Sequence, residues 1–162
     1  MNTVSNLLPD NDEVDFTFER KDSPVPPSLR AERKVSLIVV ILYKNSYREK
    51  ASPLKLQLFN WALNSSQSME RLKKFVLEGD KDYKPDVIHL DPSVNRGVDM
   101  AVAEGMAEID SRGKVVLSDR GRDLAKKILD SDDVLSKEIN DLNEIKKKVS
   151  ENKLMEIIDG IF

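Results

Sequence analysis

The stretch EGMAEIDSRGKVVLSDRGRDL, Glu104 to Leu124, decides how the whole chain reads. Gly105 closes a helical pattern, because glycine accepts the left-handed backbone that ends a helix at little cost. Ala107 to Ile109 and Lys114 to Leu117 then predict two short strands around the polar turn Asp110-Ser111-Arg112-Gly113, a compact β-hairpin. Ser118 follows at once as an N-cap, so the hairpin runs straight into a helix carrying Leu124, Ile128 and Leu129. Gly121 suits a close approach between the start of that helix and the hairpin, where a side chain would lack room.

Working outward, Ser52-Pro53 and Asp91-Pro92 each join an N-cap to a proline at the first helical position, where its missing N–H costs nothing. The first of these helices runs to about Leu63. Its apolar residues fall on two faces, Leu54, Leu58, Trp61 and Ala62 on one, Leu56, Phe59 and Leu63 on the other, so it is covered nearly all round. The second runs to Gly105 with Val94, Val98, Ala101 and Val102 as its core stripe. Between them, residues 68–79 predict an amphipathic helix with Met69, Leu72, Phe75 and Val76 on one side, and Lys81 to Pro85 a loop. The segment from the Ser28 cap to Lys44 is ambiguous. Its β-branched run Val39-Val40-Ile41 favours strand, whereas its length favours helix.

The order helix, helix, helix, hairpin, helix predicts a mainly α fold with a small β-hairpin, laid out as a winged helix-turn-helix followed by C-terminal helices. That domain would span residues 28–130. Residues 1–27 differ in composition: six acidic residues stand against Arg20 and Lys21, and Pro24, Pro26 and Pro27 forbid helix. They read as an acidic, disordered arm. The alternation of Val14, Phe16 and Phe18 with Asp15 and Thr17 leaves open a strand added to a partner's sheet. In residues 131–162, Leu135, Ile139, Leu142, Ile145 and Val149 step by 4, 3, 3 and 4, the narrow stripe of a coiled-coil seam. Ile157, Ile158 and Phe162 extend it. The seam reads either as a helix folded back on the domain or as an intermolecular surface, and the two-faced Trp61 helix tilts the reading towards a partner.

Composition narrows the function classes. The chain has 162 residues, 34% of them charged, no cysteine and a single histidine. Thiolate metal sites and cysteine nucleophiles are excluded, and one His cannot furnish a His-rich metal site. His89 reads as structural or solvated, and Asp130, Asp132 and Asp133 as helix-dipole partners rather than metal ligands. Neither GxxxxGK[ST] nor GxGxxG occurs, so a bound nucleotide would belong to a partner. No catalytic residue, cofactor or metal is expected. The longest apolar run, Leu37 to Tyr43, is far short of the roughly 20 residues a membrane helix needs. No signal-peptide pattern opens the chain, and a cytoplasmic location is expected.

The apolar first helix, KASPLKLQLFNWALNSS (Lys50 to Ser66), DPSVNRGVDMAVAEGMAEI (Asp91 to Ile109) and VVLSDRGRDLAKKIL (Val115 to Leu129) together resemble one bacterial family. It is the small middle component of three-component ABC-ATPase systems, which include the Lamassu-type anti-phage defences. The resemblance covers roughly residues 33–150, and the acidic arm inherits nothing from it. It implies helix for residues 29–44 and an accessory, non-catalytic role beside an SMC-like ABC ATPase, with a nuclease-type effector in the same complex. Candidate partner-binding residues are then Trp61, Leu135, Ile139, Leu142, Ile145, Val149, Ile157, Ile158 and Phe162.

DNA contact is a separate expectation. The helix before the hairpin carries Arg96 against Asp91, Asp99 and Glu104, a poor approach to phosphate. The wing is better: Arg112, Lys114, Arg120 and Arg122 are the candidate nucleic-acid contacts. The rival to the adaptor is a stand-alone dimeric winged-helix transcription regulator that pairs through residues 135–162.

Overall fold

The segment around VSLIVVILY is helix. In the computed structural model, which describes residues 31–162, α1 spans Ala31–Asn45. Val35 and the unbroken run Leu37 to Leu42 are all buried, because α4 (Pro92–Ala103), α5 (Asp119–Asp130) and α6 (Ser136–Ile145) pack around it. A helix enclosed on all sides hides a continuous apolar run, so burial overrides the strand propensity of Val39-Val40-Ile41. The readings for residues 1–27 and the Ser28 cap lie outside the described residues.

The remaining helices begin where their caps stand. Ser52 accepts the Lys55 N–H to open α2 (Pro53–Leu63), Ser65 caps α3 (Ser66–Leu77), and Asp91 accepts the Ser93 N–H at the start of α4. Leu56, Leu58, Phe59 and Ala62 of α2 are fully enclosed, as a helix with two apolar faces requires. One stripe residue departs from expectation: Val102 is exposed. The tight contact of α4 is made by Gly97 instead, where an added Cβ would fall 2.8 Å from the Lys34 Cβ, so α1 and α4 cross with their backbones close.

The hairpin forms as β2 (Ala107–Ile109) and β3 (Val115–Leu117), and a third strand joins it. This β1 (Lys50–Ala51) pairs antiparallel with β3, giving the order β1-β3-β2 with Ala51 opposite Val115 and Ala107 opposite Leu117. Ser118 caps α5 through the Gly121 N–H. A Cβ on Gly121 would lie 2.0 Å from the Met106 carbonyl oxygen, so only glycine admits the helix this close to the hairpin.

The C-terminal stripe is not one continuous helix. α6 ends at Ile145, its C-cap Lys146 has a φ of 53°, and α7 spans Glu151–Ile158 behind it. Leu142, Ile145, Val149 and Ile157 are fully buried and Leu135 nearly so, all within the same core cluster as α1 and α2. Ile139 and Ile158 are half-buried, and Phe162 is exposed. The folded-back reading therefore describes this segment, and a boundary at residue 130 does not separate two cores. An interface built on Leu142, Ile145, Val149 and Ile157 is corrected for the same reason: those side chains are already covered by their own chain.

Candidate functional site

Between α1 and β1 the chain makes a turn over Tyr47–Glu49 in which Arg48 (φ 54°) and Glu49 (φ 58°) both take left-handed backbone. Non-glycine residues rarely hold that conformation, which costs about 1–3 kcal/mol and persists only where the surroundings impose it. Here they do. The Ser46 hydroxyl donates to the Ile41 carbonyl at 3.0 Å, and Lys50 pairs into the sheet. Arg122 of α5 grips both Glu49 carboxylate oxygens at 2.8–3.1 Å. The turn is thus held at both ends, and it presents Tyr47 to solvent at 70% exposure with the Arg48 guanidinium 5.2 Å from its ring centroid.

That turn forms one wall of a cleft of about 780 Å³. The hairpin turn supplies Arg112 and Lys114, the junction of α6 and α7 supplies Lys147, and Lys50 and Lys55 complete the basic lining with Arg48. Two acids share the cleft, and both are engaged. Asp110 accepts the backbone N–H groups of Arg112 and Lys114 at 2.9 Å, the Lys114 bond foremost among the causes that hold its carboxyl below the usual range. Glu151 accepts from the Ser52 N–H at 3.0 Å and the Ser52 hydroxyl at 2.9 Å, tying α7 to the start of α2. Among the described residues, Arg48, Lys50, Arg112, Lys114 and Lys147 have no acidic partner within ion-pair distance.

Lys55 lies deepest, 2% exposed, and donates to the Asn45 carbonyl at 2.9 Å. Burial pushes its ammonium down to about 8; Glu151 opposes that shift, while Lys114 and Lys147 add to it. With six cations against the carboxylates of Asp110 and Glu151, the cleft carries a net positive field over a partly apolar floor.

The four candidate nucleic-acid contacts divide. Arg112 and Lys114 line the cleft, whereas Arg120 is exposed outside it. Arg122 is engaged by Glu49 and by Asp119 at 2.7 Å, which raise its pKa further, and so holds the turn instead of offering a free charge. The sequence reading missed Arg48, Lys50, Lys55 and Lys147. They come from segments far apart in the chain, and no local spacing joins them.

Trp61 lies on the opposite edge of α2, half-buried between two smaller clefts. One, about 430 Å³, is shared with His89, Leu90 and Pro92; the other, about 370 Å³, with Arg71, Lys74 and Tyr83. Leu90 and Val87 are each 52% exposed on the connecting loop, and Leu90 reaches a third cleft beside Leu54. Beneath this loop is a polar lock. Gln57 donates to the Asp91 carbonyl at 3.0 Å and accepts the Asp91 N–H at 2.8 Å, while Asn60 and the buried Lys34 reach the Asp91 carboxylate. Desolvation lowers the Lys34 pKa, and the Asp91 pair works against it. For Asp91, burial alone would raise the pKa, yet its bonds to Ser93 and the nearby Lys34 bring it below its ordinary value. The loop is therefore fixed at its Asp91 end.

No group of three or more His, Asp or Glu side chains able to hold a metal occurs among the described residues, and His89 is exposed. No described helix is long and apolar enough to cross a membrane. No protein-family model, curated protein or solved structure matches the chain.

Proposed function

We propose that this chain is a non-catalytic winged-helix adaptor that binds an SMC-like ABC ATPase and a nuclease-type effector in a bacterial anti-phage defence complex. The element order, the sheet order β1-β3-β2 and the helix packed against the hairpin by Gly121 support the winged-helix layout. The family and partners rest on the resemblance in residues 33–150. A cytoplasmic location follows from that same reading.

The observation that carries an adaptor role is the Trp61 face. A half-buried tryptophan flanked by two clefts, next to the exposed Leu90 and Val87 on a loop fixed by Asp91, has the make-up of an interface anchor. A partner would gain the aromatic and aliphatic area without ordering the loop first. This face replaces the C-terminal seam as the binding surface, with Phe162 and Met155 the C-terminal residues still exposed. The dimeric regulator is disfavoured by the same burial, since its pairing helices are enclosed by their own core.

The test is co-expression with a long coiled-coil ATPase encoded beside this chain. Trp61→Ala together with Leu90→Ser should abolish co-purification while the variant still folds and melts cooperatively, at a somewhat lower temperature because Trp61 is half-buried. Retained capture would remove this face from the interface, and a neighbourhood without such an ATPase would remove the partner.

A further inference from the structure

The basic cleft lies apart from the Trp61 face, and protein bridging does not explain it. Five cations with no acid within ion-pair distance line an open groove, and the two carboxylates beside them, Asp110 and Glu151, leave the lining net positive. Like charges this dense repel one another, as the pull of Lys114 and Lys147 on Lys55 records, so an anionic ligand would relieve them. The cations are spread over the Tyr47–Glu49 turn, β1, the hairpin turn and the α6–α7 junction. Their number exceeds what a single phosphate group neutralises, whereas a backbone with repeated phosphates can meet them in turn.

Tyr47 narrows the ligand further. Its ring is 70% exposed, lines the cleft and stands on a turn that Arg122 and Glu49 keep in left-handed geometry. An exposed aromatic ring in a basic groove serves unstacked bases, since every base offers a π-face and a paired duplex conceals it. No residue of α4 lines the groove, and the exposed charges of α4 are Arg96 against Asp99. The helix that would enter a duplex major groove is therefore both remote from the cations and without excess positive charge.

We propose that this cleft binds single-stranded nucleic acid, with Arg48, Lys50, Arg112, Lys114 and Lys147 along the phosphodiester backbone and Tyr47 stacked on a base. The Arg48 guanidinium lies over the tyrosine ring, 5.2 Å from its centroid, and the 70% exposure of Tyr47 leaves area for a base. The site is independent of the partner ATPase, and its test uses this chain alone.

The experiment is fluorescence anisotropy of the full chain with a labelled oligothymidylate of about 12 nucleotides, within the 4–16 covered by a typical single-strand groove. The same measurement is made with a duplex of that length, and ATP, inorganic phosphate and polyglutamate serve as competitors. The single strand should bind more tightly than the duplex. Tyr47→Ala should weaken binding about tenfold with an unchanged salt slope, and Tyr47→Phe should restore it. Arg48→Gln with Lys147→Gln should lower the slope by about 1.4, roughly 0.7 for each phosphate no longer neutralised. All four substitutions are at exposed positions, so a thermal melt should be unchanged. Tighter duplex binding, competition by ATP or phosphate at equal charge, equal capture of polyglutamate, an indifferent Tyr47→Ala or no binding at all would each overturn the proposal.

Discussion

Asn45, in the last turn of α1, donates its side-chain amide to two carbonyls at the end of α6, that of Leu142 at 2.9 Å and that of Lys146 at 2.7 Å. The Leu142 carbonyl already accepts the Lys146 N–H at 2.9 Å, whereas the Lys146 carbonyl lies past the last helical bond. A buried helix end without partners would be costly. One side chain therefore closes the C-terminal segment onto the central helix, and Leu142 sits fully buried beneath the clamp. Leu142→Ala should lower stability by about 2–5 kcal/mol, and Leu142→Asp should prevent folding. Met155→Asp, at a 61% exposed position of α7, should be near neutral. Urea denaturation of the three variants checks this; a Leu142→Asp chain that unfolds like the parent would make the seam a free surface again.

Gly121→Ala places a Cβ where the Met106 carbonyl oxygen lies 2.0 Å away and Leu117 Cδ1 2.6 Å away. Backbone must move to accept it, so a loss of about 1–3 kcal/mol or more is expected. Asp123→Ala, on the same helix and away from the hairpin contact, is the control and should change the denaturation midpoint little. Equal midpoints for the two variants would mean that the hairpin and α5 are not in contact.

Lys55 gives a pH signature. Its pKa falls to about 8 in the folded chain, so between pH 8 and its ordinary value of 10.5 the unfolded chain binds more protons. Stability from this residue therefore rises with pH across that window, and the penalty for its buried charge is fully present below 8. Lys55→Met should remove that rise. The check is the difference in urea midpoint between parent and variant at several pH values from 7 to 10.5; a constant difference would show that Lys55 is not desolvated.

Arg122 and Arg112 should separate cleanly. Arg122 holds Glu49 and Asp119, whereas Arg112 has no acidic partner among the described residues. Arg122→Ala should lower the melting temperature, since it releases the strained turn. Arg112→Ala should leave the melt alone and reduce the salt slope of nucleic-acid binding by about 0.7. The reverse pattern would mean that Glu49 does not hold the turn.

Several elements were legible in the sequence because their signals are local. Ser52-Pro53, Asp91-Pro92 and Ser118 each begin a helix where a hydroxyl or carboxylate can meet a free N–H, and Gly121 stands where the hairpin touches α5. The strand β1 was missed, since two residues show no period. The seam was misjudged as one helix because apolar spacing alone does not reveal the break at Lys146, nor whether a stripe meets its own chain or another. The basic cleft could not be read at all. Arg48, Lys114 and Lys147 become neighbours only after the sheet closes and α7 folds back.

The enclosure of α1 also has a temporal side. Asn45 and the Leu142 carbonyl it reaches are 97 residues apart, so ribosomes adding 5–20 residues per second leave the helix incompletely covered for roughly five to twenty seconds. Until α4 and α5 follow, VSLIVVILY, a β-branched and uncharged run, is open to the neighbouring nascent chains of a polysome. Arg33 and Lys34 stand just before it and Lys44 just after, and like charges at both flanks discourage two such runs from pairing. Lys34, which burial penalises in the finished molecule, thus has a use before the molecule is finished.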